Sequence, residues 1–409
     1  MSLLLYRTTW LLASPFILLW SLQQMITRRG GVTYLRERLG LGATTAGHAT
    51  PIWFHAASVG EVRLASPLID AQLKAGVLIT CNTPEAKCLV LSTWGDAVTV
   101  CYCPLDYRPS VRNFIARHNP KVIFVVETEI WPELYAQCYQ RGIAIYIVNG
   151  RISDKTFRSR LARQWIYPPA LGQVTAVWAR ETQDAERFVA LGCVPERVCT
   201  VGSIKMTRRT HTLRPNNPLP HRRFTLAIST HPGEEKIVSE IWREVSGGDL
   251  LVIIPRHPPR APDIVKTLAS RGLEVASDRH ATADSADVLI VDTVGEVDAY
   301  CAHASFVFVG GSMVDAGGHN VFEPASWGKS IIVGPHTRNF AAEVEYLASK
   351  DAISIVDTAE QLLESWRVHT HNHAFRQQRE HNTQEAHSAL PDKIGDYVDL
   401  VDHAVRAHV

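Results

Sequence analysis

From Pro51 onward the chain alternates short β-rich runs with stretches of helical character, and it does so in two series. The first reads PIWFHA, GVLITC, AVTVCY, KVIFVV, IAIYIV, TAVWA and RVCTVG; the second reads FTLAIS, LLVIIP, ADVLIV, SFVFVG and SIIVG. Alternating strand and helix predicts a parallel, doubly wound sheet, here one per series. Between the two lies TRRTHTLRPNNPLPHRR, which is polar, proline-rich and without apolar periodicity, and which reads as a linker over residues 207–223. The expected fold is therefore α/β, with one Rossmann-like domain over residues 29–206 and a second over 224–390. Residues 391–409 form an amphipathic helix expected to pack back on the first domain. Ligands of open α/β sheets bind beyond the carboxyl ends of the strands, so two such domains place a site in a central cleft between them.

At 409 residues, with 46% hydrophobic and 20% charged side chains, the chain can bury two cores and is not disordered over any large part. A net charge of +1 supplies no field for nucleic acid. The eight cysteines are scattered, which shows neither a zinc ligand set nor a secreted disulfide framework and suits a reducing, cytosolic setting. The N-terminus departs from this globular pattern. Leu3 to Leu22 is an apolar, aromatic run about as long as a bilayer crossing, interrupted by Arg7 and Pro15. Arg28, Arg29, Arg36 and Arg38 follow and favour the cytoplasmic side. Residues 1–28 are expected to be an uncleaved membrane anchor, spanning the bilayer or lying on it, with Arg7 snorkelling to the headgroups.

Four constellations could carry chemistry. In HAASVGEV a strand runs into a small-residue loop and a helix whose first turn holds Glu61, where the dipole favours the ionised form that a general base needs. A plain helix-capping acid looks the same in sequence. In VVETEIWPEL a buried strand ends in Glu127 and Glu129, expected on one face of an extended segment and suited to sugar hydroxyls or a cation. Lys205 of GSIK, with Arg256 and His257 of PRHP, puts cations after strands, where they suit phosphate or carboxylate. The richest segment is FVGGSMVDAGGHNVFEPA, where glycines let backbone N–H groups approach a nucleotide phosphate, a role proposed near Gly311, and where Glu323 can accept from ribose hydroxyls. STHPGEE repeats the strand, loop and helix theme. No GxGxxG, P-loop or metal-binding acidic pair is present in the sequence.

Taken together, HAASVGEV, ETEIWPEL, VNGRIS, GSIK, STHPGEE, PRHP, FVGGS, GGHNVFEPA and GPHTRNF resemble the 3-deoxy-D-manno-octulosonic acid (Kdo) transferases of lipopolysaccharide synthesis, glycosyltransferase family 30 type. The resemblance implies a GT-B fold, no metal and no cofactor beyond the donor substrate, CMP-Kdo. It implies transfer to a lipid IVA-type acceptor at the cytoplasmic face of the inner membrane, with the acceptor on the first domain and the nucleotide on the second. It casts Glu61 as general base and Arg256 and Lys205 as counter-charges to the phosphate and the Kdo carboxylate; Glu129, by its own place at a strand end, is a further candidate catalytic acid. Ser229, Thr230, Gly311, Ser312, Asn320 and Glu323 would line the CMP site; Arg256 and His257 of PRHP and Gly318 of the glycine-rich segment join them as candidate donor contacts on their own motifs. Two departures stand out: CNTPEAK, Cys81 to Lys87, replaces a Thr-rich segment, and Gly150 of NGRIS stands where alanine is usual. The rival readings are another GT-B transferase or nucleotide-sugar epimerase, and a non-catalytic scaffold that binds lipid A precursors.

Overall fold

The computed structural model describes residues 3–27, 31–42, 50–160, 166–209, 211, 213–245, 248–277, 286–293 and 295–409; Arg28 and Arg29 of the expected basic flank fall outside them, as do residues 210 and 212 of the expected linker. The chain divides into two compact units, Met1–Thr207 with Asp392–Val409, and Arg208–Pro391. The first is built on a seven-stranded sheet: β1 Ile52–His55, β2 Val77–Cys81, β3 Thr99–Tyr102, β4 Val122–Val126, β5 Ala144–Gly150, β6 Ala176–Ala179 and β7 Val198–Thr200. The second holds β8 Phe224–Thr230, β9 Leu250–Pro255, β10 Val275–Ser277, β11 Val288–Ile290, β12 Val307–Val309, β13 Ile331–Val333 and β14 Ile353–Ile355. Every pairing is parallel, in the orders β3-β2-β1-β4-β5-β6-β7 and β10-β11-β9-β8-β12-β13-β14.

All twelve expected strands are present, and the sequence pattern passed over β10 and β14. Both are three-residue strands at sheet edges, so neither has the long buried run that marks a central strand. In the central strands successive side chains feed opposite layers. Ile52 and Phe54 of β1 join Val122 and Phe124 of β4 in one core, whereas Trp53 joins Ile123 and Val125 in the other. Because helices cover both faces, these strands read as continuous apolar runs rather than as alternating ones.

The C-terminal helix Lys393–His408 lies on the first unit, where Tyr397 is fully buried and donates its hydroxyl to the Gly202 carbonyl at 3.0 Å. Of the expected linker, Thr207 stays with the first unit, accepting the Lys393 amide at 3.1 Å, and the described residues from Arg208 on are tied to the second. His211 stacks on Trp327 at 3.6 Å and bonds Ser326, while Arg214 donates to the Ala302 carbonyl at 2.6 Å. Side chains there hold a chain that lacks apolar periodicity, which is why it read as unattached.

The N-terminal segment forms a helix, Leu3–Thr27, yet no helix among the described residues is long and apolar enough to cross a membrane. Nor does Arg7 reach outward as expected. Its guanidinium makes a two-pronged contact with Glu133, at 2.7 and 3.0 Å, and Glu133 itself is fully buried at the start of the helix Pro132–Gln140. Beside it Tyr6 donates to Asp106 at 2.6 Å, and Asp106 accepts the Glu133 and Leu134 amides that open that helix. A buried carboxylate is costly without a partner, so this docking fixes one end of the N-terminal helix. Arg7→Ala should lower unfolding free energy by about 3 kcal/mol by stranding the Glu133 charge, and adding Glu133→Gln should recover most of that loss. Denaturant titration of the two variants checks this; equal losses would contradict the pairing.

Candidate functional site

Strand order reverses on either side of β1, which lies between β2 and β4. A crevice beyond the carboxyl ends of such strands is where open α/β sheets bind ligands. Glu61 sits there, in the first turn of the helix Val59–Gln72. Ser58 caps that helix, accepting from the Glu61 amide at 3.4 Å and donating its hydroxyl to Glu61 Oε1 at 2.9 Å; the Ala57 amide donates to Oε2 at 2.7 Å. Glu61 is thus both capping acid and strand-end carboxyl, so the two sequence readings coexist. The favourable helix N-terminus does not hold its pKa at the ordinary value. Burial pushes its pKa up to about 7, outweighing the Ala57 amide and the charge of His55, with nearby Glu129 acting in the same direction as burial. A carboxyl poised near 7 suits general-base work better than one at its ordinary value.

Beneath it, His55 ends β1 fully buried, with Nδ1 2.9 Å from the Thr80 hydroxyl and Nε2 3.7 Å from Glu129 Oε2, an ion pair without a hydrogen bond. Burial opposes protonation of His55, yet Cys103 and Glu129 outweigh it and raise its pKa well above the ordinary value. In turn Glu129, although burial works against ionisation, is held below the usual carboxylate range by His55, Trp131 and Arg38. Trp131 donates to it at 2.9 Å and Asn82 at 3.4 Å, and Arg38 donates to Asn82 Oδ1 at 3.0 Å. The CNTPEAK departure therefore has a local consequence: it places Asn82 between Arg38 and Glu129. At the other departure, a β-carbon on Gly150 would lie 2.9 Å from the Phe188 ring, which explains glycine there.

Glu127 and Glu129 do not share a face. Glu127 takes a left-handed backbone, φ 59°, that breaks the extended segment, and its carboxylate lies 3.7 Å from Lys205 Nζ. Lys205 thus lies in the first unit, as its place within 29–206 led one to expect, beside a carboxylate.

In the second unit the order reverses about β8, which lies between β9 and β12. Ser229 near the end of β8 has a left-handed backbone, φ 55°, and is partly exposed. The Gly311 amide, expected to cradle phosphate, is occupied. Glu234, fully buried at the start of the helix Glu234–Val245, accepts from the amides of Gly311, Ser312, Met313 and His231 at 2.7, 3.0, 2.9 and 2.9 Å. Thr230 and Ser312 are also engaged internally rather than lining an open site. The Thr230 hydroxyl donates to Glu235 at 2.9 Å; that of Ser312 donates to the Val309 carbonyl and accepts from the Gly334 amide.

Among the described residues, histidine rings gather at these strand ends with two guanidinium groups, Arg256 and Arg260, the latter donating to Glu235 at 2.9 Å. The His231 and His319 rings stack, with their Nε2 atoms 2.8 Å apart, and His257 meets His231 edge-on. Arg256 and His257 are exposed. Burial first, and the Arg256 charge second, lower the pKa of His257 and bring that of His319 down to about 4. Asn320 accepts from the Phe322 amide at 3.0 Å, Glu323 is partly exposed in the short helix Phe322–Ala325, and Gly318, φ 75°, lies so close to the GPHTRNF loop that a β-carbon would meet the His336 carbonyl at 3.0 Å. Sequence reasoning passed over His55, Asn82, His231, His319 and Glu234, although all but Asn82 stand inside the motifs it used. The available signal was an ionisable side chain within two residues of a strand end, or opening the next helix.

Residues 33–208 match the family model described as 3-deoxy-D-manno-octulosonic-acid transferase (kdotransferase). The chain is 31% identical over 354 residues to the 3-deoxy-D-manno-octulosonic acid transferase of Haemophilus influenzae, covering 81% of each chain. It is 31% identical over 382 residues to that of Bordetella pertussis, covering 86% of this chain and 89% of the relative. A putative UDP-N-acetylglucosamine 2-epimerase from Listeria monocytogenes shares the two-domain, GT-B-like fold at TM-score 0.55 and 13% identity, over 88% of this chain and 96% of that one. Sequence identity of this extent over most of both chains, on two parallel α/β units with ionisable groups at their switch points, places the chain in the Kdo transferase family, and it is a glycosyltransferase.

Proposed function

We propose that this transferase moves Kdo from CMP-Kdo to a lipid IVA-type lipid A precursor by an inverting, metal-independent displacement, with Glu61 as the base. The observation that carries the proposal is the Glu61 carboxyl, raised to about 7 at the β1–β4 switch point and only partly exposed. An acceptor hydroxyl bound there loses its proton to Glu61 as it attacks the anomeric carbon, and CMP leaves from the opposite face. Beneath Glu61 the His55 charge eases its ionisation, while Glu129, paired with His55, opposes it and helps to keep the carboxyl near 7. On the donor side Arg256 meets the departing phosphate, with His257 beside it, while Gly318 and Asn320 shape the nucleotide wall and Glu323 takes the ribose. Lys205, already paired with Glu127, serves the Kdo carboxylate from the acceptor-binding unit.

The family's lipid acceptor also suggests where the protein works: at the cytoplasmic face of the inner membrane, with the N-terminal helix lying along its surface. Leu4, Leu11, Leu12 and Phe16 on that helix are 71%, 59%, 73% and 74% exposed, while Arg7 holds it to the body.

Glu61→Gln should leave CMP affinity unchanged and lower transfer by about 10²–10⁴-fold, measured as turnover with saturating donor and acceptor. For the native enzyme, transfer should rise about tenfold per pH unit up to about 7 and then level off, because the base is the ionised form. The sign for stability is opposite. A carboxyl whose folded pKa is raised costs stability as pH climbs above its unfolded value, so Glu61→Gln should stabilise the fold at pH 8 relative to wild type and not at pH 4. Wild-type turnover in Glu61→Gln would leave only the capping role. Replacing Leu11, Leu12 and Phe16 together by serine should abolish co-sedimentation with anionic lipid vesicles while preserving the folded body's melting temperature; unchanged vesicle binding would exclude the helix as the contact.

A further inference from the structure

A buried carboxylate that accepts from four backbone amides is unusual for a residue opening a helix, where one or two donors normally suffice. Glu234 is such a residue, with Oε1 taking the Ser312 and Met313 amides and Oε2 taking those of Gly311 and His231. A carboxylate has about four lone-pair positions, so its accepting capacity is spent. The loop is shaped around it. A β-carbon on Gly310 would lie 2.9 Å from Glu234 Oε2 and 2.7 Å from Thr230 Cα, so only glycine permits this approach of β12 to β8. Successive amides beside a strand end, together with a helix N-terminus, are also the arrangement with which α/β folds hold nucleotide phosphates. Here that arrangement carries its own anion.

We infer that Glu234 is a built-in anion that occupies the place a second donor phosphate would need, and so restricts the donor to sugars joined through a single phosphate. This rests on the reading of the donor as CMP-linked. One phosphate is met by Arg256 with the His231, His257 and His319 rings around it. A second phosphate directed into the β8–β12 crevice would find four amides already donating and a negative charge at their focus. Like charge in a low-dielectric pocket discriminates more strongly than lost contacts do.

The test uses the full-length protein and three ligands, CMP, CDP and UDP, with affinities measured by calorimetry on wild type, Glu234→Gln and Glu234→Ala. Glutamine keeps the volume and removes the charge; alanine vacates the amides. Wild type should bind CMP at least about tenfold more tightly than CDP. The ratio should shrink in Glu234→Gln and approach unity or invert in Glu234→Ala. Formate or inorganic phosphate should raise the melting temperature of Glu234→Ala by more than that of wild type, as an external anion refills the vacated amides. A purely structural tie would change stability and leave the ratio alone. Equal affinity of wild type for CMP and CDP overturns the inference without any variant, so it remains decidable if Glu234→Ala does not fold. A folded variant that keeps the wild-type ratio overturns it as well. Tighter binding of UDP than of either cytidine nucleotide would instead refute the CMP-linked donor, a separate failure.

Discussion

A parallel sheet leaves backbone amides unpaired just beyond the carboxyl ends of its strands, and in both units the amides at the switch point are answered by a glutamate at the start of the following helix. The number of donors decides what each glutamate can do. Glu234 receives four amides and is fully buried, so every lone pair is engaged and it acts as part of the framework. Glu61 receives one amide and one hydroxyl, and burial outweighs them. Each hydrogen bond to a charged group contributes about 1.5–3 kcal/mol, so two donors leave the charged form only partly compensated for lost water, and the carboxyl stays ready to exchange a proton. The same structural problem is solved in one unit by saturation and in the other by a carboxyl whose pKa is raised to about 7.

Supporting residues sharpen that difference. His55 and Glu129 form a charged pair under Glu61, with Asn82 and Arg38 closing the network on one side. Thr80 fixes the His55 ring from the other, itself held by Trp53 at 2.8 Å. The network is thus wired into β1, the end of β2 and the turn after β4. In the second unit Ser312 ties the end of β12 to Gly334 after β13, so the loop that carries Gly311 is positioned by core hydrogen bonds.

What the sequence made legible follows from the same physics. Central strands buried on both faces advertise themselves as apolar runs, so twelve strands and the doubly wound character could be read, whereas β10 and β14, short and at the edges, could not. Glu61 could be singled out from its motif, but not its proton affinity, because desolvation depends on what tertiary packing brings over it. Glu127 and Glu129 were misread as neighbours because a single left-handed residue redirects the chain. Thr230 and Ser312 looked like ligand hydroxyls because sequence does not show which hydroxyls satisfy a sheet crossing. Glu234 resembled an ordinary first-turn acid for the same reason. At the N-terminus, the length of the apolar run pointed to a membrane anchor and gave no sign of one side-chain pair, Arg7 with Glu133, that fixes the helix to the body.

The proposed activity is group transfer from a nucleotide-linked sugar to a lipid hydroxyl. Its most direct test is mass spectrometry of the lipid product after incubating the full-length protein with CMP-Kdo and lipid IVA in the presence of a chelator, with released CMP quantified in parallel. Transfer predicts lipid heavier by whole Kdo residues and one CMP released for each, undiminished by the chelator. Unmodified lipid, CMP release without lipid gain, or loss of transfer on chelation would contradict it.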